Sequence, residues 1–332
     1  MITKQIKNDN FPLITVAIPT YNNPSGLKDT LRFITQQTYK NLEIIVSDNC
    51  SSGDETKKVV KEFIIKDKRV KYFRHKENIL AWPNFISTLD KAKGKYFMWA
   101  GDDDEWLPNY IESCMNVLLN KKSLDMVFTE YKFLSAKGGF FYNYHPKINF
   151  NFFSKLSRID ALSLFILMDD STNKAIVILG LWKKSSLSKV METLPILYEK
   201  YKNWKGLDVS IVVYALAKIN FYQIPKKLFI KKYGPAAPGS LINRASGIKS
   251  KFVNLFFKPG NFVKYYKNVH NINMTQFAMV KYALKLGGVD DKLQKTLFLK
   301  HSFYYLPLEL RALISSLIVF FLYSFYKLKY NT

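Results

Sequence analysis

Gly94-Lys-Tyr-Phe-Met-Trp-Ala-Gly-Asp-Asp-Asp-Glu-Trp-Leu-Pro108 is the most informative run of the chain, because large apolar residues lead almost directly into three consecutive aspartates. Residues 96–99 read as a buried strand. Pro108 starts a helix with Ile111, Met115, Leu118 and Leu119 inward. Upstream, residues 13–18 read as a buried strand ended by Pro19, and Leu27, Leu31 and Ile34 recur at helical spacing after the turn at 22–26. Residues 43–47 form a second strand, and 54–66 a helix with Val59, Val60 and Phe63 on one face. Residues 70–73 make a third strand, and Pro83 opens a helix carrying Phe85, Ile86 and Leu89. Downstream, 125–129 returns as a strand. Strands alternating with helices predict an α/β fold, a Rossmann-like, mostly parallel sheet in a three-layer α/β/α sandwich.

Composition agrees with a folded chain. The 332 residues are 48% hydrophobic and 16% aromatic, which excludes disorder. Cys50 and Cys114 are too few for a disulfide scaffold or a structural zinc site and suit a reducing compartment. No charged n-region precedes a long apolar run at the N-terminus, so the expected location is cytoplasmic. His75, His145, His270 and His301 form no ligand spacing, and neither a P-loop nor a Ser-His-Asp arrangement is present.

Beyond residue 130 the pattern weakens. Residues 132–151 read as a loop or short hairpin. Ser157 and Asp160 resemble a capping box for a helix through Met168, and 209–217 fits either helix or strand. The Gly- and Pro-rich stretch 234–239 is the linker candidate, which divides the chain into 1–240 and 241–332. Charge divides it in a similar place. From Lys218 onward, 17 Lys and 2 Arg face only Asp290, Asp291 and Glu309, which is +16 of the total +24. There Lys is interleaved with Phe, Tyr and Leu, the composition of basic amphipathic helices that lie on anionic membrane surfaces. Residues 312–326 carry no charge. At about 1.5 Å per residue they reach roughly 22 Å, short of a hydrocarbon core about 30 Å thick, which favours an in-plane anchor over a span. A packed helical subdomain or a homo-oligomer interface is the other reading of this extension. The Lys-rich, Arg-poor tail with its aliphatic faces disfavours a nucleic-acid-binding role.

In an open α/β sheet the ligand sits at the carboxyl ends of the strands. Residues 20–23, 48–54 and 102–104 are the polar clusters that fall there. The first two have the composition of ordinary turns. Asp102, Asp103 and Asp104 are different, since three adjacent carboxylates repel one another near a desolvated cleft. Mg²⁺ or Mn²⁺ relieves that repulsion, using one or two carboxylates and completing its shell with water and phosphate oxygens. With no His or Cys nearby the set does not suit zinc. The competing explanation is an acidic helix N-terminus before Pro108, which accounts for acids in a first turn but not for their place after a buried strand.

Residues 18–22 (Ile-Pro-Thr-Tyr-Asn), 37–52 (Gln-Thr-Tyr-Lys-Asn-Leu-Glu-Ile-Ile-Val-Ser-Asp-Asn-Cys-Ser-Ser), 94–97 and 102–108, taken in order, resemble the family 2 glycosyltransferases of GT-A fold across about residues 11 to 130. The resemblance implies a nucleotide-sugar site. The turn of Thr20, Tyr21 and Asn22 lies against the base, Asp48 accepts from the base edge, and the aspartates serve ribose and metal. The family pattern is Asp-x-Asp-Asp, and Gly101 stands where its first Asp would be. By that count Asp103 inherits the metal and Asp102 lies nearest the ribose, while a turn shifted by one makes Asp104 the ligand.

An inverting transfer also needs a general base for the acceptor hydroxyl. By position the resemblance assigns this to Asp208, although Leu207 replaces the family's usual Glu. Asp208 as a helix cap is the competing role, and Asp169 with Asp170 is the fallback pair. Lys231 and Lys232, following a strand-like 227–230, are candidates to reach the diphosphate. The implied activity is a metal-dependent, inverting transfer from a nucleotide-diphosphate sugar, with UDP favoured, to a hydroxyl of a glycan or lipid-linked acceptor. The implied setting is surface polysaccharide synthesis at the inner membrane face. A non-catalytic nucleotide-sugar binder is the rival that Gly101 and Leu207 leave open.

Overall fold

The computed structural model describes residues 11–135, 156, 161–162, 165, 174–201, 207–233, 282, 285 and 288. Strand β1 (Ile14–Thr20), helix α1 (Pro24–Thr35), β2 (Leu42–Asp48), α2 (Glu55–Lys66), β3 (Val70–Arg74), α3 (Ala81–Lys91) and β4 (Tyr96–Trp99) follow the predicted alternation. A two-residue strand β5 (Glu105–Trp106), helix α4 (Tyr110–Asn120), and strands β6 (Met126–Ser135), β7 (Leu181–Lys183) and β8 (Phe221–Tyr233) complete the sheet. Its order is β3-β2-β1-β4-β7-β6-β8-β5.

β1 pairs in parallel with β2 and β4, and β2 with β3, so the first four strands form the expected parallel nucleus. β7 then runs antiparallel to both β4 and β6, and β5 antiparallel to β8, which makes the whole sheet mixed. Every residue of β1, β2 and β4 is buried, as strands covered on both faces must be. Ile14, Ile18, Phe97 and Trp99 are fully buried among them, and the Phe97 and Trp99 rings meet edge-on with centroids 4.9 Å apart. α1 covers the sheet with Leu27, Leu31 and Ile34, and it is started by Asn23, whose Oδ1 accepts from the Gly26 N–H at 3.2 Å.

Register matters most at the two ends of the parallel strands. Thr20 lies opposite Asp48 at the carboxyl edge, so the loops that leave β1 and β2 emerge together. At the amino edge, buried Glu43 accepts from Thr15 Oγ1 (2.7 Å), Lys71 Nζ (2.6 Å) and the Lys93 N–H (2.8 Å). This network ties the start of β1 and β2 to β3 and to the approach to β4.

Local departures from the sequence reading have physical causes. α3 begins at Ala81, so Pro83 falls inside the first turn, where its missing N–H costs nothing. The acids before Pro108 do not open a helix, because Glu105 and Trp106 are drawn into β5 by pairing with Ile230 and Phe229 of β8. α4 starts only at Tyr110. The ambiguous 209–217 lies within a helix, Leu207–Lys218, and the strand-like 227–230 lies within β8.

The described residues divide into two compact units. The first runs to Tyr131 and takes in Leu179–Ser188 and Lys226–Ile230. The second contains helices Thr193–Tyr201 and Leu207–Lys218, with Leu194, Leu197, Ile211 and Val213 fully buried or nearly so. In it the Lys200 ammonium lies 3.9 Å from the Tyr282 ring centroid. Ala161, Leu162 and Phe165 are helical and buried, but the rest of the expected 157–168 helix lies outside the described residues. So do Asp169 and Asp170, the 234–239 linker with the boundary at 240, and the basic extension with residues 312–326. Among the described residues no helix is long and apolar enough to cross a membrane.

Candidate functional site

The carboxyl edge of the parallel strands carries a hydrogen-bonded junction between the β1 exit and the aspartate turn. Thr20 Oγ1, almost fully buried, donates to Asp102 Oδ2 at 2.6 Å. Asn23 Nδ2 donates to the Asp102 carbonyl at 3.1 Å. Thr30 Oγ1, on the buried stripe of α1, lies 3.0 Å from the Gly101 carbonyl and 3.3 Å from that of Asp104. Gln37 locks the far side, donating from Nε2 to the Leu107 carbonyl at 2.9 Å and accepting at Oε1 from the Ile111 N–H at 3.1 Å. The turn at 101–104 is therefore held by Thr20, Asn23 and Thr30, while Gln37 ties the segment that follows it, at Leu107, to the start of α4.

Gly26 and Gly101 make this junction possible by what they lack. A Cβ on Gly26 would sit on the Asp102 carbonyl oxygen. A Cβ on Gly101 would meet Asp104 Oδ2 at 2.6 Å and Asp103 Oδ1 at 3.1 Å. Two carboxylates thus reach over the same bare Cα, one from Asp104 at 1% exposure and one from the partly exposed Asp103. Gly101 is the departure from the family pattern, and here it leaves the space that these carboxylates use. Among the described residues no three His, Cys, Asp or Glu side chains form a complete metal cage. Two hard oxygen donors side by side at the bare Cα of Gly101 fit a cation such as Mg²⁺ or Mn²⁺, which takes few protein ligands and fills the remaining positions with water and phosphate oxygens.

The β2 exit is more rigid than its composition suggests. Asp48 is fully buried, with Oδ1 accepting from the Ser51 N–H at 2.8 Å and Oδ2 from the Tyr72 hydroxyl at 2.6 Å. Burial and then the Asp48 carboxylate push the Tyr72 phenol pKa upward, so this donor stays protonated. Arg74 Nε lies 3.8 Å from Asp48 Oδ2, and its Nη2 donates to the Ser51 carbonyl at 2.6 Å. Asp48 is thereby the organiser of the turn. Asn22 joins the same turn, its N–H donating to Ser51 Oγ at 2.9 Å and its Oδ1 accepting from the Ser52 N–H at 2.6 Å. Tyr21, beside it, is 47% exposed.

Among the described residues the non-glycine positions with positive φ are Asn22 (52°), Cys50 (62°) and Leu80 (71°). They fall in the loops after β1, β2 and β3 respectively, all at one edge of the sheet. Backbone strain concentrated in this way is characteristic of functional edges, where the surrounding contacts over-determine the chain. His75 belongs to the scaffold, as its ring nitrogen lies 3.1 Å from Asn84 Oδ1 while Asn84 Nδ2 donates to the Ser47 carbonyl at 3.1 Å, joining α3 to β2.

Thr20, Asn22, Asp48, Asp102, Asp103 and Asp104 are thus gathered at one edge of the first unit, with Tyr21 on its rim. Asp208 and Lys231 belong to the second. Asp208 is the second residue of its helix, and its Oδ1 accepts from the Val209 N–H at 2.9 Å. Lys231 lies near the end of β8 and is partly exposed. Thr30, Gly26, Gln37 and Tyr72 were not singled out from sequence. For Thr30 a signal existed, since a polar residue on the Leu27–Leu31–Ile34 stripe needs a partner.

Residues 15–172 match the family model described as glycosyl transferase family 2. An uncharacterized glycosyltransferase of Rickettsia bellii is 33% identical over 150 residues, covering 44% of this chain and 21% of that protein. The GalNAc(5)-diNAcBac-PP-undecaprenol β-1,3-glucosyltransferase of Campylobacter jejuni is 39% identical over 106 residues, 31% of this chain and 34% of that protein. TuaG of Bacillus subtilis, a putative teichuronic acid biosynthesis glycosyltransferase, is 27% identical over 127 residues, 38% of this chain and 50% of that protein. The chain thus spans about a fifth to a half of the length of these curated relatives. S. aureus TarS in complex with UDP superimposes with a TM-score of 0.52 at 14% identity, covering 92% of this chain and 89% of that one. The chain is thus similar to glycosyl transferase family 2 over residues 15–172, and its described residues have a GT-A-like fold.

Proposed function

We propose that the chain transfers a sugar from a nucleotide-diphosphate sugar, with UDP as the favoured carrier, to a hydroxyl of a glycan or lipid-linked acceptor in surface polysaccharide synthesis. The observation that carries this reading is the pair of carboxylates, Asp103 and Asp104, reaching over the bare Cα of Gly101 at the carboxyl edge of the parallel strands. Asp103 and Asp104 hold Mn²⁺ or Mg²⁺. Such an ion supplies charge neutralisation for the diphosphate as it departs. Asp102, oriented by Thr20, takes the ribose, and Tyr21 with Asn22 lies against the base. Asp48 contributes by holding the turn that presents the backbone at 49–52. Lys231 reaches toward the diphosphate.

Asp208 acts as the general base. It takes the proton of the acceptor hydroxyl while the oxygen forms a bond to the anomeric carbon from the face opposite the leaving group. The bond from that carbon to the diphosphate oxygen breaks, and the nucleoside diphosphate leaves with the electron pair, inverting the configuration. Two relatives support the acceptor class, one named for an undecaprenol-linked substrate and one for teichuronic acid synthesis. The basic extension supports a peripheral position at the inner membrane face, next to such an acceptor.

The test is a donor panel of UDP-, GDP- and dTDP-sugars with and without Mn²⁺, read by calorimetry and by release of the nucleoside diphosphate. Asp103→Ala is expected to abolish the metal-dependent part of donor affinity. Asp208→Asn should leave donor binding intact and remove transfer to acceptor. Undiminished metal-dependent binding in Asp103→Ala would overturn the metal assignment, and full transfer by Asp208→Asn would overturn the base.

A further inference from the structure

Leu80 stands at φ 71° and ψ 166°, in a part of backbone space that is essentially reserved for glycine. Burial does not compensate the strain, since its side chain is 57% exposed. What holds it there is a set of hydrogen bonds on both sides of the residue. The Ile79 N–H donates to Asn49 Oδ1 at 2.9 Å, and the Leu80 N–H donates to Asn78 Oδ1 at 2.9 Å. Asn49 Nδ2 donates to Asn78 Oδ1 at 3.0 Å, and the Asn84 N–H closes on the Leu80 carbonyl at 3.3 Å. Asn49 is itself fixed to the β1 exit, its N–H donating to the Thr20 carbonyl at 2.9 Å. Leu80 is therefore bound, through Asn49, to the residue that orients Asp102.

Among the described residues of the first unit, the exposed large apolar side chains are Tyr21, Ile64, Ile65, Phe73 and Leu80. Ile64 and Ile65 lie on α2 and Phe73 on β3, whereas Tyr21 and Leu80 stand on two loops at the carboxyl edge, tied together through Thr20 and Asn49. One aromatic and one aliphatic side chain, on two loops joined through the β2 exit that lies between them, suit a ligand with apolar faces. Of the parts of a nucleotide-sugar, the nucleoside has such faces, while the diphosphate does not.

We propose that Leu80 covers the nucleoside of the donor, and that the strained backbone is retained for this contact. The inference rests on the donor-site reading given above. It predicts that stability and affinity part company at this position. Leu80→Gly removes both the strain and the side chain, and relief of the strain outweighs the freedom glycine adds to the unfolded chain. Leu80→Ala keeps a Cβ, and so keeps the strain, but removes the apolar reach.

The experiment uses the full chain, thermal unfolding, and calorimetry with UDP and with inorganic pyrophosphate in Mn²⁺. Leu80→Gly should raise the thermal midpoint by about 2–4 °C. Both variants should weaken UDP about tenfold, the worth of one apolar side chain's partial burial, and leave pyrophosphate unchanged. UDP binding at wild-type strength in both variants would overturn the inference alone. An equal loss for UDP and pyrophosphate would also overturn it, showing a displaced loop and no nucleoside contact. A wild-type chain that binds none of UDP, GDP or dTDP would remove the donor site itself, and the inference with it.

Discussion

Gly26→Ala puts a single methyl between α1 and the aspartate turn. On an exposed helix face the change would stabilise, because alanine is favoured over glycine by about 1 kcal/mol in a helix interior. Here the new Cβ would clash with the Asp102 carbonyl oxygen and would come within 2.5 Å of Asn23 Nδ2 and 2.9 Å of Asn23 Oδ1. Neither obstacle can swing aside cheaply. The carbonyl is backbone and already accepts from Asn23, and Asn23 Oδ1 is the cap of α1. Overpacking of this kind costs about 1–3 kcal/mol, and a rigid obstacle places the cost at the upper end. Set against the helix gain, the net loss is about 2 kcal/mol, or roughly 4–8 °C in thermal midpoint for a unit of this size. The neighbouring exposed Ser25→Ala, on the same helix turn, should stay within about 0.5 kcal/mol of wild type. Urea unfolding of both variants, with Mn²⁺-dependent UDP binding measured alongside, is the assay. Binding should fall in Gly26→Ala because the displaced carbonyl belongs to Asp102. A Gly26→Ala chain as stable as Ser25→Ala, binding UDP normally, would refute the packing of α1 against the aspartate turn.

Thr20→Val removes the hydroxyl that orients Asp102 but keeps the side-chain shape. Hydrogen bonds to charged groups contribute about 1.5–3 kcal/mol, so Mn²⁺-dependent UDP affinity should fall about tenfold and Thr20→Ser should retain it; equal affinity in all three proteins would exclude a role for this contact. Glu43 and Asp67 set an acid limit on stability. Burial raises the Glu43 pKa, but hydrogen bonds from Lys71, the Lys93 N–H and Thr15, together with the Lys71 charge, outweigh it, leaving the net value below that of an ordinary carboxyl. The hydrogen bond from Arg69 does the same for Asp67 against a smaller desolvation effect. A pKa lowered by folding means that the stabilisation is complete above the unfolded values near about pH 4 and disappears as pH falls through the folded ones. Unfolding free energy should therefore decline steadily below about pH 4, and Glu43→Gln should flatten that decline; a parallel curve would show that Glu43 is not a main contributor.

Sequence alone determined the alternation that builds the parallel nucleus, and with it the edge where chemistry belongs. Burial of β1, β2 and β4 on both faces is written locally, in unbroken apolar runs, and α1 in the spacing of Leu27, Leu31 and Ile34. Chain order then places residues 20–23, 48–54 and 102–104 at the same strand ends, whatever the details of packing. It could not show that the acids lead into β5 and not into a helix, because the partner strand lies more than a hundred residues away. Tertiary structure also decided what each polar residue is for. Thr20, Asn23 and Thr30 find their partners 71 to 82 residues further along. Packing likewise gives Gly101 its place, since its bare Cα leaves the space that the Asp103 and Asp104 carboxylates use, and it buries Asp48, whose oxygens accept from the Ser51 N–H and the Tyr72 hydroxyl. Periodicity reports which side of an element is buried, which is a local property of the chain. Which side chain meets which across the interior depends on strand register and helix placement, and these exist only once the whole sheet has formed.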